Sequence, residues 1–378
     1  MFFNRNHHRK HQRHHHHHLS KKIKIAITGN PNSGKTTIFN YLTGQNQKIG
    51  NYPGVTVEKK SGRLWHGKHE IELVDLPGTY SLSAYSIEEV VSRDFVLNDK
   101  PDVIIDVLDS TNLDRNLYLL LQFQELGIPV VGALNMSDEA SQMGLEIDEV
   151  QLSKILGIPL VKTVGTKGIG LKDLVRKAVR VAHGRIDPTT RHINYGPEVE
   201  EAHLEIINYL KSDPEFCKQF PVHWMAIKLL ENEHDAIDKI HNNHKNAQEI
   251  IDKTQNTIDF IEKHFGEDSE IVIIEQRYGY IHGALKETLQ QDKTIKGATL
   301  TEKIDNFVLN KFIGIPVFLL IMYLIYQFTF SLGDPLGQQI EKFFTYIKGL
   351  LVTYLPAGVF QDFLTGGIID GVGGVLVF

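Results

Sequence analysis

Residues 22–43 read KIKIAITGNPNSGKTTIFNYLT, and this stretch decides the fold of the first domain. A strand-like apolar run enters a loop at residues 29–36 that matches G-x-x-x-x-G-K-[ST], and a helical pattern follows. The glycines let backbone N–H groups turn inward around phosphate oxygens, and the N-terminus of the helix adds partial positive charge. Lys35 is predicted to reach the β- and γ-phosphates of a nucleotide, and the Thr36 hydroxyl to ligate Mg²⁺.

The segments around this loop alternate between two hydrophobic patterns. Strand-like runs occupy residues 71–75, 103–109, 128–135 and 158–163, and helical periodicity occupies residues 87–97, 113–126 and 171–181. This alternation predicts an α/β domain over residues 21–186, with a mainly parallel sheet and helices on both of its faces.

Two further motifs follow the loop in the order expected of P-loop NTPases. Asp75-Leu76-Pro77-Gly78 comes after an apolar strand; an aspartate there holds Mg²⁺, and the glycine N–H meets the γ-phosphate. Thr56 lies between the two motifs, in NYPGVTVE, where a threonine can close over Mg²⁺. Gly54 and Val55 of this loop are expected beside the nucleotide. Lys35, Thr56 and Gly78 are the residues predicted to take part in hydrolysis.

Asn135-Met136-Ser137-Asp138 indicates which base is bound. A carboxylate at Asp138 can accept hydrogen bonds from N1–H and the exocyclic amine of guanine, whereas adenine offers no such pair of donors. The usual motif is N-K-x-D, and Met136 replaces its lysine, so we expect some loss of affinity without a change of specificity. Thr163-Val164-Gly165 ends the last strand-like run, where a backbone N–H is expected to meet guanine O6.

The residues that usually accelerate GTP hydrolysis are missing from their expected places. Thr79 and Tyr80 follow the second motif where Ras-like GTPases have a glutamine nearby, and residues 44–56 contain no arginine. Hydrolysis is therefore expected to be slow unless another cation substitutes. Asn32 can offer its side-chain oxygen to a monovalent cation that bridges the phosphates; alternatively, it only shapes the loop.

Composition excludes several classes of protein. The formal net charge of -6 gives no reason to expect nucleic acid as a partner, and a single cysteine, Cys217, excludes a disulfide framework. Residues 1–20 are basic and histidine-rich, without the apolar core of a secretory signal. We predict that this segment is a flexible tail: either an expression tag or a disordered tail without a function, or a segment that captures metal ions loosely.

The pattern changes after the first domain. Residues 187–288 carry helical periodicity without a convincing strand, which predicts an all-helical regulatory domain, and residues 289–306 form a polar linker. Residues 312–332 contain no charge and match the roughly 20 residues of a transmembrane helix. The chain ends inside a second apolar run, so we expect a truncated α-helical transmembrane region over 307–378, the start of a larger membrane protein. Gly367 and Gly371 predict a close helix contact there, and Asp370 between them is either functional or a helix cap.

The segments GNPNSGKTT, NYPGVTVE, DLPGTYSL and NMSD together resemble the ferrous iron transport protein B family (FeoB) of prokaryotes. WMAIKLLENE in the helical region, KIDNFVLNKFIGIPVF before the first span and GVGGVLVF at the end extend the resemblance over nearly the whole chain after about residue 20. The resemblance implies a cytosolic GTPase domain, a helical domain that slows GDP release, and a membrane domain that transports Fe²⁺.

The resemblance also assigns ligands. It places K⁺ on Asn32 and on backbone carbonyls of residues 50–52, whereas the motif argument above places Mg²⁺ on Thr36, Thr56 and Asp75. With the motif argument, the residues predicted to contact GTP or GDP are Gly29, Asn32, Ser33, Gly34, Lys35, Thr36, Thr37, Gly54, Val55, Thr56, Asp75, Gly78, Asn135, Met136, Asp138, Val164 and Gly165.

The function that follows is GTP-dependent ferrous iron uptake, gated by slow GTP hydrolysis that K⁺ stimulates. The expected location is the cytoplasmic membrane of a prokaryote, multi-pass in the lipid bilayer, with the GTPase domain in the cytoplasm. The sequence does not decide whether small cytosolic partner proteins bind or whether a homo-oligomer forms. Two alternatives also stay open: a membrane-tethered sensor GTPase without transport of its own, and transport of another divalent metal.

Overall fold

The computed structural model of the protein describes residues 22–44, 47–52, 55–83, 85–186, 193–291, 308 and 314–377. The chain divides into two compact units, Met1–Ile295 and Lys296–Phe378, and each is described by itself. The predicted histidine-rich tail, Gly54 and most of the predicted linker lie outside the described residues.

A seven-stranded sheet forms the centre of the first unit. Its strands are β1 (Ile23–Gly29), β2 (Gln47–Asn51), β3 (Glu58–His66), β4 (His69–Asp75), β5 (Val103–Asp109), β6 (Val130–Asn135) and β8 (Leu160–Lys162); β7 (Leu145–Ile147) pairs elsewhere. The order is β2-β3-β4-β1-β5-β6-β8. Strands β4, β1, β5, β6 and β8 run parallel to one another, whereas β2 and β3 pair antiparallel at one edge. The predicted mainly parallel sheet is confirmed, and the antiparallel edge was not predicted.

Helices cover both faces of this sheet. They are α1 (Lys35–Thr43), α2 (Ile87–Asp99), α3 (Leu113–Glu125), α4 (Ser137–Gln142), α5 (Glu149–Leu156) and α6 (Leu171–Ala182). The apolar sides of α1 and α6 pack into one core, and those of α2, α3 and α5 into the other. Because both faces are covered, the central strands β1 and β5 are almost wholly buried and consist mainly of isoleucine and valine.

Asp106 interrupts the apolar pattern of β5. Its side chain is wholly buried, and it lies beside Thr28 in the register of β1 and β5. Neither carboxylate oxygen has a hydrogen-bond partner among the described residues. Burial therefore raises the pKa of Asp106 to about 8, and the group is mostly protonated at neutral pH.

Six helices follow the α/β part, as predicted. They are α7 (Pro197–Leu210), α8 (Pro214–Gln219), α9 (Val222–Leu230), α10 (His234–Asn243), α11 (Ala247–Phe265) and α12 (Ser269–Thr288). α9 is the central one: every residue from 224 to 230 is buried. α12 packs on α3 and α5, so the helical and α/β parts share one continuous apolar core.

A buried ionic network reinforces this junction. Arg277 of α12 donates two hydrogen bonds, of 2.7 and 2.9 Å, to the carboxylate of Glu125 at the end of α3. It also pairs with Glu231, which in turn accepts a hydrogen bond of 2.8 Å from Lys228. Burial alone would raise the pKa of Glu231, but the two cations lower it, so the carboxyl stays ionised.

The second helix of the α/β part takes part in the same junction. Arg93 of α2 is 3% exposed and pairs with Glu233 at 2.9 Å and with Asp235 at 3.1 Å, both in or beside α10. In the loop before α2, the Tyr85 hydroxyl donates to Glu270 at 2.9 Å. The segment that follows Gly78 therefore has direct polar contacts with the helical part.

A two-stranded ladder joins the ends of two distant segments. β7 pairs antiparallel with β9 (Leu289–Gln291), which continues directly from α12. The Asp148 N–H adds a 2.8 Å hydrogen bond to the carbonyl of Thr288. β9 was not predicted, because three residues without apolar alternation carry no strand signal.

The described residues of the second unit are mainly helical. α13 (Gly314–Tyr354) is long and apolar enough to cross a membrane: its most apolar 18-residue window has a mean hydropathy of 1.9. The helix contains Pro335. It continues past residue 332, where the predicted span ends. α14 (Val359–Asp362), a π-helical segment (Phe363–Ile369) and α15 (Asp370–Val377) follow.

Among the described residues of this unit, the predicted contact at Gly367 and Gly371 is not formed, and it stays a prediction for the membrane domain. A β-carbon on Gly371 would meet nothing within 4 Å, and one on Gly367 would meet only Phe363 of its own helical segment. Instead, Gly373 lies against Phe344 of α13, where a β-carbon would come within 3.1 Å of the ring. Asp370 accepts a hydrogen bond of 2.6 Å from Lys348 of α13. The close helix approach that the described residues show is therefore the one at Gly373.

Candidate functional site

The loop between β1 and α1 has the conformation of a phosphate cradle. Asn32 and Gly34 have φ angles of 68° and 87°, which place both in the left-handed region. A β-carbon on Gly34 would lie 2.2 Å from the Asn135 amide nitrogen, so only glycine fits there. The Ser33 hydroxyl is buried and has no hydrogen-bond partner among the described residues. The loop therefore has an unpaired buried hydroxyl next to the N-terminus of α1, which is a favourable place for an anion.

Lys35 and Asp75 lie in contact beneath this loop. The Lys35 Nζ is 2.5 Å from the Asp75 Oδ1, and both side chains are about nine-tenths buried. Burial raises the pKa of Asp75, and the charge of Lys35 counteracts that effect. The predicted phosphate-binding lysine and the predicted Mg²⁺ aspartate are thus brought together, at the ends of neighbouring elements α1 and β4.

Asn135 connects three segments of the site. Its amide nitrogen donates to the Ser33 carbonyl at 2.8 Å. Its oxygen accepts from the Gly165 N–H at 2.9 Å and faces the Thr163 hydroxyl at 3.4 Å. The P-loop, the end of β6 and the loop after β8 are therefore fixed to one another through one buried side chain. Since the Gly165 N–H is used in this way, its contact with guanine O6 stays a prediction.

Asp138 lies in the first turn of α4, at the edge of the same site. Its Oδ2 accepts a hydrogen bond of 2.7 Å from Lys167, and this bond lowers the pKa of Asp138. Met136 adopts a φ of 56°, and its terminal methyl lies 3.7 Å from the position of a β-carbon on Gly34. The Met136 side chain thus reaches over the P-loop, where the lysine of the usual motif would lie.

The two predicted switch residues differ in their placement. Gly78 packs on the P-loop: a β-carbon there would lie 3.5 Å from the N and Cα atoms of Pro31. Thr56 is exposed in a turn closed by hydrogen bonds between Tyr52 and residues 55 and 57, and in the described part of the chain no hydrogen bond joins it to the site. The Tyr52 hydroxyl donates to the Asp75 carbonyl at 3.0 Å, which ties this loop to β4.

The remaining predicted residues lie along the same edge of the sheet. Gly29 ends β1, where a β-carbon would collide with the Val107 carbonyl at 2.5 Å. Thr36 and Thr37 are exposed at the start of α1, Val55 is half-buried and Val164 is buried. The exposed Thr36 hydroxyl and the Asp75 carboxylate are oxygen ligands of the kind that Mg²⁺ prefers, so the site fits that ion. Among the described residues, no group of three or more His, Cys, Asp or Glu side chains could hold a metal ion by itself.

Sequence reasoning missed two cations at this site. Lys167 follows the Gly165 loop, and Arg115 lies in the first turn of α3, with its guanidinium 3.8 Å from the centre of the Tyr80 ring. The threonine–lysine sequence after Gly165 could have suggested the first. Nothing in the sequence places Arg115 near Tyr80, because that contact depends on the packing of α3 against the loop after β4.

The site combines a P-loop that ends at Lys35 with Asp75 on the adjacent strand β4 and with the Asn135/Asp138 motif typical of guanine recognition. This combination defines a guanine-nucleotide-binding GTPase domain. Comparison with known proteins agrees with this class. The family model described as "Ferrous iron transport protein B" matches residues 23–178, and that of the "FeoB cytosolic helical domain" matches residues 195–290.

Relatives and solved structures support the same assignment. A Porphyromonas gingivalis protein named "Fe(2+) transport protein A/Fe(2+) transporter FeoB fusion protein" is 41% identical over 94% of this chain and 42% of its own length. An "Fe(2+) transporter FeoB" of Methanocaldococcus jannaschii is 39% identical over 95% of this chain and 52% of its own. The chain thus spans about half the length of these relatives.

Among solved structures, a mutant S. thermophilus NFeoB bound to mGDP has a TM-score of 0.64 and 38% identity, covering 71% of this chain and 99% of that chain. The cytosolic domain of the T. maritima FeoB iron transporter in apo form has a TM-score of 0.61 and 34% identity, covering 71% and 100%. The chain belongs to the ferrous iron transport protein B family.

Proposed function

We propose that this chain is the nucleotide-binding part of a GTP-dependent importer of ferrous iron. The observation that carries the proposal is the junction at Asn135, which fixes a P-loop to a guanine-type recognition segment. The same chain contains α13, which can cross a membrane by length and composition. Because the chain spans about half the length of its relatives, iron transport is proposed from the family to which it belongs.

In the proposed complex with GTP, the residues of the site have distinct tasks. Lys35 exchanges Asp75 for the β- and γ-phosphates, and Asp138 accepts the N1–H and the amine of guanine. Thr36, Thr56 and Asp75 would hold Mg²⁺, and Asn32 with carbonyls of residues 50–52 would hold K⁺; both ions supply positive charge to the phosphates. Thr56 must approach from its exposed turn, which is the movement expected of a first switch.

Slow GTP hydrolysis is expected from the two residues that follow Gly78, Thr79 and Tyr80. Neither Thr79 nor Tyr80 is a glutamine that could orient the attacking water, and GTPases without an arginine finger turn over at roughly 10⁻⁴–10⁻³ s⁻¹. Inward movement of a divalent cation is already favoured by about 2.3 kcal/mol per charge per 100 mV of membrane potential. We therefore propose that GTP gates the pore and does not drive it ion by ion.

The nucleotide part of the proposal is tested by binding and hydrolysis. The chain should bind GDP and GTP in preference to ATP, and Lys35→Ala should abolish binding or hydrolysis, because the phosphates lose their charge partner. Hydrolysis should be faster in K⁺ than in Na⁺ at equal ionic strength, and Asn32→Ala should remove the difference. Equal affinity for ATP would disprove the guanine assignment, and equal rates in both salts would disprove the K⁺ site.

Transport is tested with the full-length protein in vesicles that contain GTP, GDP or a non-hydrolysable GTP analogue. Uptake of labelled Fe²⁺ with the analogue alone is the result expected of a gate opened by binding. A fixed ratio of ions transported to GTP hydrolysed would contradict gating. Absence of uptake under every condition would instead favour a membrane-tethered sensor GTPase, and uptake of another divalent metal in preference would correct the cargo.

The proposed location is the cytoplasmic membrane of a prokaryote. The GTPase and helical parts are placed on the cytoplasmic side, where GTP is available, and α13 is placed in the lipid bilayer. Whether the full-length protein binds small cytosolic partners can be tested by co-purification. Whether it forms a homo-oligomer can be tested by measuring its mass in detergent.

A further inference from the structure

Arg115 connects the P-loop to the segment that follows Gly78. Its carbonyl accepts a hydrogen bond of 3.1 Å from the Asn30 side chain, which is 3% exposed. Its guanidinium stacks on Tyr80, 3.8 Å from the ring centre. Gly78 returns to the P-loop through its packing on Pro31. Asn30, Pro31, Gly78, Tyr80 and Arg115 thus form a closed circuit of contacts around the corner of the site where the γ-phosphate is expected.

The charge of Arg115 is not used in an ion pair. In the described part of the chain, no carboxylate lies within 4.0 Å of its guanidinium, whereas Arg93 and Arg277 each hold two acidic partners from other elements. A planar guanidinium over an aromatic face is a favourable contact. The position of the Arg115 side chain is therefore governed by Tyr80.

The loop after Gly78 also has hydrogen-bonded anchors, which begin at Ser81. Ser81 and Ser83 donate to Glu89 at 2.7 and 2.9 Å, and the Leu82 N–H donates to Gln122 at 2.6 Å. These bonds fix residues 81–83 to α2 and α3. Between Gly78 and Ser81, the Thr79 side chain is buried, whereas the Tyr80 side chain is exposed and contacts the guanidinium of Arg115.

We propose that Arg115 is a positioning residue for GTP hydrolysis. Through Tyr80 it holds the backbone of residues 78–80 against the P-loop, where the attacking water must lie. No glutamine is present at Thr79 or Tyr80 to orient that water, so the backbone position itself determines how well the water is aligned. The proposal rests on GTP hydrolysis at this site, as set out under the proposed function.

The test uses the 378-residue chain in detergent and two measurements, single-turnover GTP hydrolysis and the Kd for a fluorescent GDP. Arg115→Ala and Tyr80→Ala should each slow hydrolysis by about 10- to 100-fold, as expected when a reacting group is misplaced. The Kd for GDP should change by no more than about twofold, because among the described residues no hydrogen bond or ion pair joins either side chain to Lys35, Asn135 or Asp138. Tyr80→Phe should keep the wild-type rate, since it keeps the ring.

The double variant separates this proposal from a direct role. If Arg115 acts through Tyr80, Arg115→Ala/Tyr80→Ala should be no slower than either single variant. Arg180→Ala, at an exposed position of α6, is the matched control and should leave both measurements unchanged. A loss of about 10³-fold or more in Arg115→Ala, with none in Tyr80→Ala, would show contact with the phosphate itself and overturn the positioning role. Wild-type rates in both variants would also overturn it, whereas a wild-type chain that does not hydrolyse GTP would refute the proposed function instead.

Discussion

At the scale of single residues, the site combines groups whose roles follow from the sequence with groups whose roles do not. Lys35, Asp75, Asn135 and Asp138 were predicted from motif spacing, because parallel strands deliver their carboxyl ends to one edge of a sheet. The partners of these residues could not be predicted. Lys35 contacts Asp75, and Asn135 accepts a hydrogen bond from the Gly165 N–H. Both contacts depend on distances between segments that are far apart in the chain.

Asp138 is predicted to set the preference for guanine. Asp138→Asn should weaken GDP binding by about 100-fold or more, because two hydrogen bonds to a charged acceptor are lost. It should also remove the difference in affinity between GDP and IDP, which lacks the exocyclic amine. The measurement is competition of both nucleotides against a fluorescent analogue. Lys167→Met is the control: its exposed ion pair predicts a change of no more than about fivefold. A GDP preference that survives in Asp138→Asn would contradict the assignment.

Asp106 is predicted to make stability fall as pH rises. Its pKa is about 8 in the folded protein and near 3.8 in the unfolded chain, so the folded state binds the extra proton between these values. Stability from this group is complete below about pH 4 and is lost as pH rises towards 8. In urea unfolding of residues 22–291, the free energy of unfolding of Asp106→Asn relative to the wild type should increase by roughly 3 kcal/mol between pH 5 and pH 8. The exposed Asp259→Asn should show no such gain, and parallel pH profiles for Asp106→Asn and wild type would refute the idea.

At the scale of elements, alternation of hydrophobic patterns identified the parallel strands and most helices, because buried strands and amphipathic helices have distinct periods. β2 and β3 were missed since both are largely polar and partly exposed, and their pairing is decided by the neighbouring edge of β4. The length of α13 was underestimated, because the helix continues through Pro335 into a more polar stretch.

The contact of α12 with α3 is predicted to depend on Arg277. Arg277→Met should lower the free energy of unfolding by about 3–5 kcal/mol, because Glu125 and Glu231 would remain buried without their cation. Chemical denaturation of residues 22–291 gives the value. Lys218→Met removes an exposed pair with Glu215 on α8 and should cost about 1 kcal/mol or less. Equal costs for the two variants would show that the buried network is not what joins the elements.

At the scale of the whole molecule, β9 predicts where the cytosolic part can be cut. A fragment of residues 22–280 lacks β9 and the end of α12, so β7 loses its pairing partner beside the recognition helix α4. We expect it to unfold at a lower temperature and to bind GDP more weakly than residues 22–291. Thermal melts with and without GDP measure both effects, and a fragment of residues 22–295 serves as the control. Identical behaviour of all three fragments would show that the ladder is dispensable.

The ladder between β7 and β9 also has a consequence for the order of events during protein synthesis. β7 follows the guanine-recognition helix α4 directly in sequence, yet its partner leaves the ribosome only after all six helices from α7 to α12. At about 5–20 residues per second, the 141 residues between Ile147 and Leu289 take about 7–28 s to be made. During that interval the P-loop side of the domain can already be complete, while the base-binding side lacks its final support. The nascent chain therefore acquires its phosphate-binding half first and its mature base-binding half last, shortly before α13 emerges.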